Sequence, residues 1–131
     1  MGLFDIFRKK KELTPQELRW NKMWDLWADG KIASPYAELM TYQSEINNGG
    51  HDQYFINVDN NGNLKKEMSE LKKILSPRLR NNLNDAYSAF LALEKSEDDE
   101  TAEEVLNKCD DVFFKNEEEI NRILKEHSLK I

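Results

Sequence analysis

His51, His127 and Cys109 carry the readiest chemistry in this 131-residue chain: two imidazoles and one thiol. A histidine acts as acid, base or ligand only with partners at suitable spacing. The chain holds no His-Glu-x-x-His, no Gly-x-Ser-x-Gly, no Walker loop and no Gly-x-Gly-x-x-Gly. His51-Asp52 comes nearest to a metal or acid–base pair, but two adjacent residues are not a site. An enzymatic reading would need His51, Asp52, Gln53 and Asn57 gathered in one pocket. Cys109 lies on an apolar stripe and reads as a small buried hydrophobe. With one cysteine there is no intramolecular disulfide and no Cys-x-x-Cys pair, which fits a reducing cytoplasm. No enzyme, cofactor or metal site is expected.

Carboxylates are the chemistry present in quantity. Asp and Glu number 25 against 19 Lys and Arg, for a net charge of −6. From Glu94 to Glu126 stand thirteen acidic and five basic residues. From Lys65 to Arg80 the balance reverses, with six basic residues (Lys65, Lys66, Lys72, Lys73, Arg78, Arg80) and two acidic ones, Glu67 and Glu70. Glu103, Asp110 and Glu117 recur every seven residues, and Glu104, Asp111 and Glu118 repeat the interval one position on. Seven helical residues rise about 10 Å, and so do three steps along a DNA strand. Carboxylate pairs at that interval imitate a row of phosphates and attract surfaces of Arg and Lys made to hold DNA. The plainer alternative is a solvated helix face that aids solubility. Direct nucleic-acid binding by this pole is disfavoured by its sign.

The elements that position these groups are helices. Thr14-Pro15-Gln16-Glu17 is a capping box with Pro at the first helical position, and Gly30 ends that helix after Ala28 or Asp29. Trp20, Met23, Trp24 and Trp27 share one face of it. Ser34-Pro35 opens a second helix whose inner stripe is Tyr36, Leu39, Met40, Gln43 and Ile46. It stops at Asn47-Asn48-Gly49-Gly50, after which Asp52 caps a short third helix through Asn57. Gln53 and Asn57 then serve the backbone groups exposed at the glycine turn. Val58 to Asn63 is a loop; its Asp59, Asn61 and Asn63 alternate as in a calcium loop, but Gly62 and Glu70 are misplaced for one. Leu64, Met68, Leu71 and Leu75 stripe a fourth helix. Leu79, Leu83, Ala86, Phe90 and Leu93 stripe a fifth, after Ser76-Pro77. One last helix runs from near Thr101 toward His127, with Ala102, Leu106, Cys109, Phe113, Asn116, Ile120 and Ile123 inward and a kink or polar contact at Asn116. The fold class is therefore all-α, a single-domain bundle of about six helices.

Mean hydropathy is −0.80 and 34% of residues are charged, so the exterior is solvated. A 39% hydrophobic share with three Trp, six Phe and four Tyr still builds a core. Those values exclude a disordered chain, a collagen, a disulfide scaffold and a multi-span membrane protein. Residues 1–13 read as an amphipathic, basic tail and residues 14–131 as the helical domain. Leu3 to Phe7 is too short for a signal sequence, and Ile6 stands where myristoylation expects Ser or Thr. Leu3, Phe4, Ile6 and Phe7, followed by Arg8 to Lys11, suit weak contact with an anionic membrane; the alternative is a frayed tail or a short helix on the body.

The stretch from Glu45 to Asn57 carries a family resemblance. Asn48, Gly49, Gly50, Asp52, Gln53, Tyr54, Phe55 and Asn57 are similar to the signature of a bacterial family of small helical domains, the DNA mimic protein family. The preceding helix and the aromatic–acidic stretch Asp110 to Phe114 agree with it, and the likeness extends from Thr14 to about His127. The resemblance implies an all-α fold, a homodimer, and an acidic surface that occupies the DNA-binding face of a transcription factor. The basic segment Lys65 to Arg80 departs from it, because a phosphate mimic gains nothing there.

The leading expectation is a cytoplasmic, non-enzymatic protein-interaction module. Its acidic face of Glu103, Glu104, Asp110, Asp111, Glu117 and Glu118 would sequester a basic DNA-binding protein. An immunity or antitoxin-like protein that neutralises a toxin is the alternative, since nucleases present basic clefts. A membrane-peripheral adaptor using residues 3–11 is a third reading.

Overall fold

Local signals set several helix ends. The computed structural model describes residues 12–131, so the N-terminal membrane-contact expectation lies outside the described residues. Thr14 accepts from the Glu17 amide at 3.1 Å while the Glu17 carboxylate accepts from the Thr14 amide at 3.0 Å, opening α1 (Pro15–Ala28). Gly30, at φ 71°, follows its end. Ser76 and Asp99 accept from the amides of Leu79 and Ala102 at the starts of α4 (Pro77–Lys95) and α5 (Glu100–Lys115). The remaining helices are α2 (Tyr36–Asn60), α3 (Leu64–Ile74) and α6 (Glu117–Ser128). The chain is all-α and single-domain, with no strand among the described residues. Among the described residues no helix is long and apolar enough to cross a membrane.

The helices divide differently from expectation at three places. Ser34 does not cap α2: its hydroxyl donates to Glu38 at 2.8 Å, and Pro35 holds the cap position without a side-chain bond. The second and third expected helices are two halves of α2, bent where Gly49 and Gly50 leave helical geometry. The last expected helix is two, α5 and α6. Asn116 breaks it, with φ −116° and its side-chain amide donating to the Val112 carbonyl at 2.7 Å. That break rephases the stripe, so Leu124 is fully buried and Ile123 only partly.

α2 is the hub, packed against α3, α4, α5 and α6, while α4 and α5 form the most extensive helix pair. Leu39, Met40, Tyr42, Tyr54, Phe55 and Phe113 are fully buried around it. Tyr42 meets Tyr54 and Phe113 edge-on, with centroids 5.1 and 5.3 Å apart, the arrangement that ring quadrupoles favour. α1 lies against α6 and sends Met23 into the core. Its three tryptophans are partly buried in an edge-to-face ladder, and the Trp27 indole donates to Thr41 at 3.1 Å.

Candidate functional site: an acidic groove behind a helix kink

Two adjacent glycines permit a sharp break without ending the helix. Gly50 sits at φ 78° and ψ −176°, a conformation that side chains resist. A Cβ there would overlap the Asp110 carboxylate, and one on Gly49 would overlap the Gln53 side chain. The break frees the first amides of the second half of α2. The expected cap, Asp52, is exposed; the cap is Asp110 of α5, whose Oδ1 accepts from the His51 amide at 2.9 Å. Its negative charge also suits the positive end of that half-helix.

The same oxygen pairs with His51 Nδ1 at 2.6 Å, and His51 Nε2 lies 2.6 Å from the Tyr42 hydroxyl. Burial, reinforced by the fields of Cys109 and Asp110, pushes the Tyr42 phenol far upward. The phenol therefore keeps its proton and donates to Nε2, while Nδ1–H donates to Asp110. His51 and Tyr42 are fully buried. Asp–His–Tyr has the order of an acid–base relay, but its terminal oxygen is sealed in the core. Cys109 is buried beside it, and burial first, then Asp85 and Asp110, pushes its thiol up to about 11.

Two more carboxylates tie the kink. Glu45 accepts from Gln53 at 3.2 Å and from Asn57 at 2.6 Å, so these amides bridge the bend to a carboxylate instead of serving the turn backbone. Glu117 of α6 accepts from Gln43 and Asn47 at 3.0 and 2.7 Å. Gln53 and Asn57 thus meet at Glu45, His51 turns to Tyr42 and Asp110, and Asp52 lines a surface groove, so the four do not gather in one pocket. Asn48 is exposed, whereas Tyr54 and Phe55 are core residues.

The seven-residue row therefore splits. Glu103, Glu104, Asp111 and Glu118 are exposed, while Asp110 and Glu117 turn toward α2 and hold the kink. A second acidic feature collects instead beside the kink. A groove of about 700 Å³ runs between the second half of α2, the end of α4 and α5. Asp52, Glu94, Glu97, Glu103 and Asp110 line it, over a floor that includes Ile56, Phe90, Leu93 and Leu106, with no Lys or Arg among its described lining residues. Glu94 and Glu97 were outside the expected face, because they fall before the heptad pattern starts; only the acidic excess from Glu94 to Glu126 hinted at them. Among the described residues no group of three or more His, Cys, Asp or Glu is placed to hold a metal ion.

A family model for DMP19-like proteins matches residues 35–129. The chain belongs to the DMP19-like protein family. The matched span takes in the Gly49–Gly50 kink, the groove and all of α2 to α6, whereas α1 lies outside it. Comparison with curated proteins and with solved structures finds no match. In this DMP19-like protein the basic residues occupy α3 and the first turn of α4. Arg78 and Glu94 stand sixteen positions apart on α4, roughly 24 Å along its axis, so the groove and the basic segment mark opposite ends of one helix.

Proposed function

We propose that this protein is a non-enzymatic, DNA-mimic-like module whose acidic groove and neighbouring exposed carboxylates hold a basic DNA-binding protein in place of DNA. The observation that carries the reading is the groove: five carboxylates and no described cation over an apolar floor. Membership of the DMP19-like family supports it. A basic DNA-binding surface responds to the position of negative charge before base identity. Glu104, Asp111 and Glu118, exposed on α5 and α6, extend the negative field beyond the groove. The buried Tyr42–His51–Asp110 relay serves on this reading as a rigid back wall, fixing one groove carboxylate, Asp110.

The test is capture from native lysate at low salt on three baits: wild type, a groove variant (Asp52→Asn, Glu94→Gln, Glu97→Gln, Glu103→Gln) and an outer-face variant (Glu104→Gln, Asp111→Asn, Glu118→Gln). The reading expects a DNA-binding protein on wild type that duplex DNA displaces, that rising salt releases, and that the groove variant fails to hold. A partner that neither DNA nor salt displaces, or equal retention on all three baits, overturns it. A captured nuclease-like toxin would instead establish the immunity role.

A further inference from the structure

Three buried oxygen atoms have no hydrogen-bond partner within the protein: Glu38 Oε1, the Tyr54 hydroxyl and Glu67 Oε2. They come from three segments. Glu38 lies on the first half of α2, Tyr54 on its second half beyond the kink, and Glu67 on α3. The other Glu38 oxygen is occupied by the Ser34 hydroxyl. Tyr54 is fully buried, and its hydroxyl has no partner within the protein.

The three act on one another. Burial raises the Tyr54 phenol, and the field of Glu67 is the largest charge effect on it, ahead of Tyr42, Glu38 and Glu45. Burial first, and the field of Glu38 next, push the Glu67 carboxyl up to about 7 against the opposing field of Lys66. With both carboxylates ionised, two negative charges would face the phenol, and the Ser34 hydroxyl would serve only the outer Glu38 oxygen. One added proton removes a charge and supplies a second donor. The partly buried Glu67 carboxylate, with one oxygen enclosed and unpaired, therefore favours taking up a proton.

We propose that Glu38 and Glu67, walled by Tyr54, form a proton-binding site that clamps α3 to α2 and loosens as solution turns from mildly acidic to neutral. The sign follows from linkage. A carboxyl whose folded value lies above its unfolded one adds stability in full below the unfolded value and loses it as pH rises through the folded value. The contribution therefore fades between about pH 4.5 and about pH 7. His127 acts oppositely, because burial and Lys130 lower its folded value, so comparison with a variant that keeps His127 isolates the carboxyl.

The experiment is a carboxyl NMR titration of Glu67 in the full chain, with urea unfolding of wild type and Glu67→Gln at about pH 5.5 and about pH 8. A Glu67 midpoint near neutrality, a Glu67→Gln midpoint in urea that falls less with pH than wild type, and faster α3 amide opening above neutrality are expected. Glu38→Gln should lower the Glu67 midpoint. A Glu67 midpoint in the ordinary carboxylate range, identical pH dependence in wild type and Glu67→Gln, or no response to Glu38→Gln overturns the proposal. Glu67→Gln keeps the side chain's size and is the variant expected to fold in every case.

Discussion

Two buried polar clusters flank the bend in α2, and they are built on opposite terms. At the kink, Tyr42, His51 and Asp110 pair every donor with an acceptor at 2.6 to 2.9 Å. Where α2 meets α3, Glu38, Tyr54 and Glu67 each keep a buried oxygen with no protein partner. A fully paired network specifies one geometry and is lost as a unit, whereas an unpaired one costs stability and is relieved by taking up a proton. The first cluster holds the groove wall. The second makes the packing of α3 responsive to pH.

The largest break should come from Gly50→Ala. Backbone at φ 78° and ψ −176° is essentially confined to glycine and costs about 1–3 kcal/mol for a residue with a Cβ. The added carbon also displaces the Asp110 carboxylate, which leaves the His51 amide and ring donor buried and unpaired at about 1–3 kcal/mol. A loss of about 4 kcal/mol in urea unfolding is expected. A loss below about 1 kcal/mol would mean that the kink is not fixed by this contact.

Asp110→Ala comes next. It removes the cap and the relay acceptor together and keeps the glycine geometry, so about 3 kcal/mol is expected. Asp110→Asn should recover part of that, since an amide oxygen accepts from either donor but carries no charge. If the Asn and Ala variants are equal, charge and not hydrogen bonding holds the second half of α2.

These contacts also show how far the residues could be read in advance. The Thr14–Glu17 box, the Ser76 cap and Gly30 are rules confined to a few neighbouring positions, and the helices they bound formed as expected. The Gly49–Gly50 break was legible too. Its cap was not, because Asp110 stands 59 positions away and only tertiary packing brings it to His51. Glu117 is likewise 74 positions from Gln43. The heptad row was visible on α5 and α6, yet spacing along a helix does not say which side faces a neighbour, and Asp110 and Glu117 proved to be bound inward. Glu94 and Glu97 joined the groove through the fold of the α4–α5 pair, which no local pattern encodes.

The smallest expected effects give the sharpest contrast. Tyr42 and Tyr54 are both fully buried tyrosines on α2, in edge-to-face contact with each other. Their hydroxyls differ: that of Tyr42 donates to His51 at 2.6 Å, and that of Tyr54 has no protein partner. Tyr42→Phe leaves His51 Nε2 buried without its donor and should cost about 1–2 kcal/mol. Tyr54→Phe removes a group that gains nothing on folding, so its effect should lie within about 0.5 kcal/mol of zero or be slightly stabilising. The ring packing is the same in kind, so the difference between the two variants in urea unfolding reports the hydrogen bond alone. Equal losses at the two positions would mean that the Tyr54 hydroxyl has a partner in solution. The two clusters would then differ in charge but not in how well their polar atoms are satisfied.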